Sequence, residues 1–153
     1  MPYALLFYSG GTMDLTYSPA APSDAGTIFE LCKALIDKYE DISTIDYDWV
    51  LAWVRHKIEG NISEYRCILA DGAHAGYFRL CPAEDGWELD DLYIFPEFQN
   101  RGIGTAVIRD CCEKGPVMLY VFRKNTRALA LYRRLGFREV DTAGQTRLIL
   151  RKE

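Results

Sequence analysis

The sequence predicts an α+β fold, a mixed α/β sandwich with about four helices flanking one central, mostly antiparallel sheet. Three observations carry that expectation. Apolar residues recur at helical spacing in four windows and form short strand-like runs in eight, in the order ββααβββαβαββ. The 153 residues suit a single domain, 1–153, with 1–11 as a candidate N-terminal extension. One strand runs through a glycine-bearing turn directly into a helix near residue 100.

Ala4 to Tyr8 is a strand-like run, and Met13 to Tyr17 another. Ser9-Gly10-Gly11-Thr12 between them is a turn signal, so the two form a candidate hairpin. Pro19 to Ser23 is a loop with Ser23 as the candidate helix cap. Ile28, Leu31, Cys32, Leu35, Ile36 and Tyr39 lie on one helical stripe, and Tyr47, Val50, Trp53, Val54 and Ile58 on a second. Arg66–Ala70 and Ala75–Leu80 pair around the Asp71-Gly72 turn. Trp87–Phe95 is a long strand closed by Pro96, and Ile103–Cys112 is the third helix. Val117–Phe122 is a buried strand. Thr126–Leu135 is the fourth helix, with Gly136 as its stop residue and Phe137 as the apolar clasp. Arg138–Val140 and Arg147–Leu150 close the chain as strands.

Composition narrows the function. An apolar fraction of 49% is ample for a core, while the longest apolar run, Ala4 to Tyr8, is too short to span a bilayer and lacks a basic leader. No membrane partner is expected. Five cysteines, an odd number without a C-x-x-C pair, read as reduced cytoplasmic thiols. His56 and His74 have no ligand partners at useful spacing, so no metal is expected. The net charge of −4 argues against a nucleic-acid partner. That average hides an asymmetry: residues 1–97 carry 6 basic and 17 acidic side chains, residues 98–153 carry 12 and 5. A basic C-terminal half suits a phosphorylated ligand, and an acidic N-terminal half suits a cationic amine or is simply a solvated face.

The turn Gln99-Asn100-Arg101-Gly102-Ile103-Gly104-Thr105 also asks for a phosphorylated ligand. The first N–H groups of a helix lack internal partners and favour an anion, and glycine lets a ligand approach the backbone. The dinucleotide fingerprint needs a third glycine where Val107 stands, and a Walker loop needs Gly-Lys-Ser/Thr, which the chain lacks. What remains is Q-x-x-G-x-G after a strand and Pro96, followed by Asn125 and then Leu131-Tyr132-Arg133-Arg134-Leu135-Gly136-Phe137. In order and spacing, from about Glu88 to Phe137, this resembles the GNAT superfamily of acetyl-CoA-dependent N-acetyltransferases.

The resemblance implies an enzyme that moves an acetyl group from acetyl-CoA directly to a primary amine, on a small molecule or a peptide. It further implies that the strands at 87–95 and 117–122 splay apart. Main-chain groups of Leu92, Tyr93 and Ile94 would then bond to the pantetheine arm. Gln99, Asn100, Arg101, Gly102, Ile103, Gly104 and Thr105 would cradle the pyrophosphate, mainly through N–H groups, with Arg101 meeting a phosphate or solvent. Asn125 caps the fourth helix and resembles the family's asparagine near the pantetheine. A neutral amine is the nucleophile, and alkylamines arrive mostly protonated, with a pKa of about 10.4. A base is therefore needed, and Glu88 is the candidate. By strand alternation Glu88 shares one face with Asp90, Leu92 and Ile94, while Leu89, Asp91 and Tyr93 take the other. Asp90 and Asp91 read as water-facing carboxylates. Tyr132 is the candidate acid, since a phenol can protonate a departing thiolate. Trp49 and Trp53, four apart, read as core packing before an aromatic wall, and Cys111 and Cys112 as structural. A non-catalytic acyl-CoA-binding or sensing module is the alternative; it would need neither Glu88 nor Tyr132. The apolar segment Pro2–Tyr8 raises the expectation of a homodimer.

Overall fold

The computed structural model describes residues 13–153, so the expected strand at Ala4–Tyr8 and its hairpin turn lie outside the described residues. The order is β1 (Leu15–Pro19), α1 (Ala25–Tyr39), α2 (Tyr47–Gly60), β2 (Tyr65–Ala70), β3 (Ala73–Ala83) and β4 (Gly86–Ile94). It continues with α3 (Ile103–Cys112), β5 (Val117–Phe122), α4 (Thr126–Arg134), β6 (Arg138–Ala143) and β7 (Arg147–Lys152). Seven strands form one sheet in the order β1-β2-β3-β4-β5-β7-β6, and every pair except β4–β5 is antiparallel. The expected α+β sandwich with four helices is the observed architecture.

The sheet separates two apolar layers. On one side Ile103, Val107, Ile108 and Cys111 of α3 and Leu129 of α4 pack on Leu89, Val117, Leu119, Val121 and Leu150. On the other, Ile28, Phe29 and Ile36 of α1 and Val54 and Ile58 of α2 pack on Tyr65, Tyr77 and Tyr93. These are the helical stripes read from the sequence, and burying them is what holds each helix to the sheet.

Local chemistry sets the helix ends. Asp46 caps α2 by accepting from Trp49 N–H at 3.1 Å. The expected cap on Ser23 is replaced: Asp24 precedes α1, and its carboxylate holds Ala21 N–H at 2.7 Å. The α4 helix ends in a Schellman motif, with Gly136 N–H donating to Arg133 O and Phe137 N–H to Tyr132 O, both at 3.0 Å. Gly136 takes φ +99°, a region that a side chain resists.

One irregularity bears directly on the site. Arg79 faces Asp91 across the β3–β4 ladder, but Leu80 faces Leu89, so Asp90 is an extra residue in β4. Such a bulge breaks the two-residue alternation. Trp87 and Leu89 before it and Leu92 and Ile94 after it all pack toward α3 and α4, and Tyr93 packs toward α1 and α2. Asp90 and Asp91 both reach Lys57 of α2. Simple alternation, with Glu88 and Leu92 on one face and Leu89 and Asp91 on the other, is thereby corrected.

Candidate active site

β4 and β5 pair only at Trp87–Val117 and Glu88–Met118. Beyond Glu88 the two strands part, so among the described residues the β5-facing edge of β4 from Leu89 to Ile94 has no strand partner. Phe95 N–H donates to Ala75 O at 2.8 Å, on the β3 side. Alternation then turns the Tyr93 main chain toward β3 and the main-chain groups of Leu92 and Ile94 into the gap. Gly76 makes room for this: a Cβ there would stand 1.9 Å from Tyr93 O.

The turn after the gap is held open by its own side chains. Gln99 Nε2 donates to Ile94 O at 3.0 Å, tying the turn to the end of β4. Asn100 and Gly102 both take left-handed dihedrals, φ +64° and φ +79°. Gly102 is the N-cap of α3 and offers no side-chain cap, and the first helical bond runs from Ala106 N–H to Gly102 O at 3.0 Å. The N–H groups from Gly102 to Thr105 are therefore without intrahelical acceptors, in a turn where Arg101 and Gly102 are exposed and Gly104 and Thr105 are half-buried. Arg127 of α4 donates to Asn100 Oδ1 at 2.7 Å, which adds a cation the sequence did not single out. The Arg101 guanidinium lies 5.5 Å from the Phe98 ring and is solvent-facing. Together these are the elements of an anion site.

Asn125 lies in the short turn after β5 and caps α4, its Oδ1 accepting from Ala128 N–H at 3.2 Å. One and two turns further along that helix lie Leu129, which is buried, and Tyr132, which is half-buried with its ring edge-on to Phe137 at 5.5 Å. Burial pushes the Tyr132 phenol up to about 12, with a smaller contribution from the nearby Cys111. The phenol therefore keeps its proton across the neutral range.

Glu88 projects from the opposite face of the sheet, toward α1 and α2, at the point where the strands part. Burial raises its carboxyl above the usual range and Asp90 adds to the rise, while Arg79 and Lys57 oppose it. Around it lies an ionic network assembled from side chains of α2, β3, β4 and the turn before β2. Lys57 Nζ is 2.9 Å from Asp90 and 3.6 Å from Asp91. Arg79 bridges Asp90 and Glu64. Tyr65 donates to Asp91 at 2.5 Å and Tyr93 at 3.0 Å. Asp91 is almost fully enclosed, and burial, the largest effect, raises its carboxyl despite Lys57 and the two phenols. Asp90 and Asp91, expected to face water, are thus paired and enclosed. The adjacent Asp-Asp doublet inside a strand was the available hint, because strict alternation would force one of them into the other layer.

The tryptophans also depart from expectation. Trp49 and Trp53 are 62% and 51% exposed, so they are not core residues. Among the described residues no helix is long and apolar enough to cross a membrane.

The profile of the acetyltransferase (GNAT) family matches residues 28–137. The chain belongs to that family. Within the GNAT family it is 35% identical to an uncharacterised N-acetyltransferase of Methanocaldococcus jannaschii over 71 residues, 42% of this chain and 31% of that one. It is 32% identical to the N-alpha-acetyltransferase RimI of Mycobacterium tuberculosis over 104 residues, 62% of this chain and 65% of that one. The chain spans less than two thirds of the length of either relative. A PaiA N-acetyltransferase from Thermoplasma acidophilum, solved in complex with coenzyme A, superimposes with a TM-score of 0.68 at 20% identity, covering 92% of this chain and 99% of that one. That likeness establishes the GNAT fold for this chain.

Proposed function

We propose that this GNAT protein transfers an acetyl group from acetyl-CoA directly to a primary amine. The observation that carries the reading is the parting of β4 and β5 beside an uncapped α3 N-terminus. The gap supplies main-chain partners at Leu92 and Ile94 for a pantetheine amide, in the manner of an added strand. The N–H groups from Gly102 to Thr105, with Arg101 and Arg127 nearby, supply the anion site for the pyrophosphate. Gln99 holds that turn to β4, and Asn100 holds it to α4.

Glu88 and Tyr132 lie on opposite faces of the sheet, which suits an acceptor arriving from one side and a donor from the other. Glu88 takes the proton from the ammonium, directly or through a water. The neutral nitrogen then attacks the thioester carbonyl carbon. As the carbon–sulfur bond breaks, Tyr132 gives its proton to the leaving thiolate. A carboxyl raised by burial is a better base than one in water, and a phenol raised to about 12 still carries its proton at neutral pH, as a general acid must when the thiolate leaves.

Thermal unfolding of the chain with acetyl-CoA, against NADH and ATP, tests the donor. A ligand that binds only the folded state raises the melting temperature. A selective rise with acetyl-CoA, followed by amine-dependent thiol release, supports the reading; no rise with acetyl-CoA overturns it.

A further inference from the structure

We propose that the exposed stripe Trp49–Trp53 on α2 selects the acceptor, and that the acceptor is a small primary amine whose skeleton carries an aromatic or aliphatic group. This rests on the transferase reading and adds the acceptor's class to it.

The argument begins with two tryptophans left in water one helical turn apart. Each ring has a large apolar area that folding would ordinarily cover, and here it is 62% and 51% exposed. Spacing of four stacks Trp49, Trp53 and Lys57 along one face of α2. Lys57 Nζ lies 5.9 Å from the Trp53 ring and 2.9 Å from Asp90. The stripe therefore leads from the first turn of α2 to the bulge in β4, two residues from Glu88.

Charge complementarity identifies what covers it. Among the described residues, Glu64, Glu88, Asp90 and Asp91 gather at that end against Lys57 and Arg79. Both cations are committed, to Asp90, Asp91 and Glu64, and Glu88 makes no ion pair with a described residue. An ammonium fits the surplus negative charge, and the adjoining rings fit the carbon skeleton behind it, with a cation–π contribution as the ammonium passes Trp53. From Trp49 to Lys57 the helix rises roughly 12 Å, about 1.5 Å per residue, a length that matches one short amine.

The test compares 2-phenylethylamine with ethanolamine, two primary amines of similar basicity, as acceptors for the full chain at saturating acetyl-CoA. The expected result is a kcat/KM for 2-phenylethylamine at least tenfold above that for ethanolamine. The W53A and W49A/W53A variants should bring that ratio close to one by lowering turnover of 2-phenylethylamine far more than that of ethanolamine, while the acetyl-CoA-induced rise in melting temperature stays unchanged. Both residues are exposed, so the variants fold. Equal turnover of the two amines by the wild-type chain, or a preference that survives in W49A/W53A, overturns the inference and leaves the transferase reading standing. No thiol release with any amine overturns the transferase reading itself, and the inference falls with it.

Discussion

Phe137 holds Tyr132 twice over: its N–H closes the end of α4 on the Tyr132 carbonyl at 3.0 Å, and its ring meets the Tyr132 ring edge-on at 5.5 Å. The stop signal of the helix is thus also the mount of the candidate acid. Tyr132→Phe keeps the ring and removes only the proton. Thiol release should fall about 10²- to 10⁴-fold, while the acetyl-CoA-induced rise in melting temperature is retained. Unchanged turnover would remove Tyr132 from the mechanism. Phe137→Ala, by contrast, empties a buried site and should cost roughly 3–5 kcal/mol in denaturant unfolding.

Glu88→Gln separates chemistry from stability. Burial raises the Glu88 carboxyl in the folded chain, so its charged form is disfavoured there. Its contribution to stability is fully present below the unfolded carboxylate pKa of about 4.3 and is lost as pH rises through the higher folded value. The variant should therefore equal or exceed the wild type in melting temperature at pH 7, and lose that advantage at pH 4. In the same variant the kcat–pH profile should lose its acidic limb. An acidic limb that persists would assign the base to another group.

The two glycines of the turn differ in what they tolerate. Gly102 sits at φ +79°, where a side chain costs about 1–2 kcal/mol, so Gly102→Ala should lower both stability and the response to acetyl-CoA. Gly104 is an ordinary helical residue, and a Cβ there would meet only Ile94 Cγ1 at 3.8 Å. Gly104→Ala should raise the melting temperature of the free chain, because alanine favours a helix by about 1 kcal/mol. The added methyl stands among the free N–H groups, so the rise on adding acetyl-CoA should shrink. An undiminished rise would place the phosphates elsewhere.

Much of this arrangement is legible in the sequence, and the exceptions have physical reasons. The α3 and β5 bounds coincide with the segments Ile103–Cys112 and Val117–Phe122, because one face of each, Ile103, Val107, Ile108 and Cys111 on the helix and Val117, Leu119 and Val121 on the strand, is buried in the same layer. Gln99, Gly102, Asn125, Gly136 and Phe137 act through backbone geometry, which a short motif encodes. The bulge at Asp90 does not show in a period-two pattern, since one extra residue reverses every facing assignment that follows it. Lys57, Arg79 and Arg127 come from other elements, and only the folded chain brings them to β4 and the turn. Trp49 and Trp53 have helical spacing that reads as core, but the apolar face of α2 is taken by Val54 and Ile58.

Lys57 is where the bulge is most exposed to test. It is 17% exposed and bonds Asp90 while lying 3.6 Å from Asp91, a carboxylate that is 9% exposed. The pair of carboxylates exists on one face only because Asp90 is an extra residue, and without the ammonium Asp90 keeps Arg79 while Asp91 has no cation among the described residues, in a poorly solvated place. Removing one partner of an enclosed ion pair leaves the other uncompensated and costs about 3–5 kcal/mol. Lys57→Met should therefore destabilise the chain by an amount of that order at pH 7. The Asp91 carboxyl is already raised by burial, and losing Lys57 raises it further, so acid supplies the missing compensation as a proton. The deficit should shrink as pH falls from 7 toward 5, measured as the difference in melting temperature between Lys57→Met and the wild type at each pH. A deficit independent of pH would mean that Lys57 contributes through the packing of its alkyl stem rather than through charge.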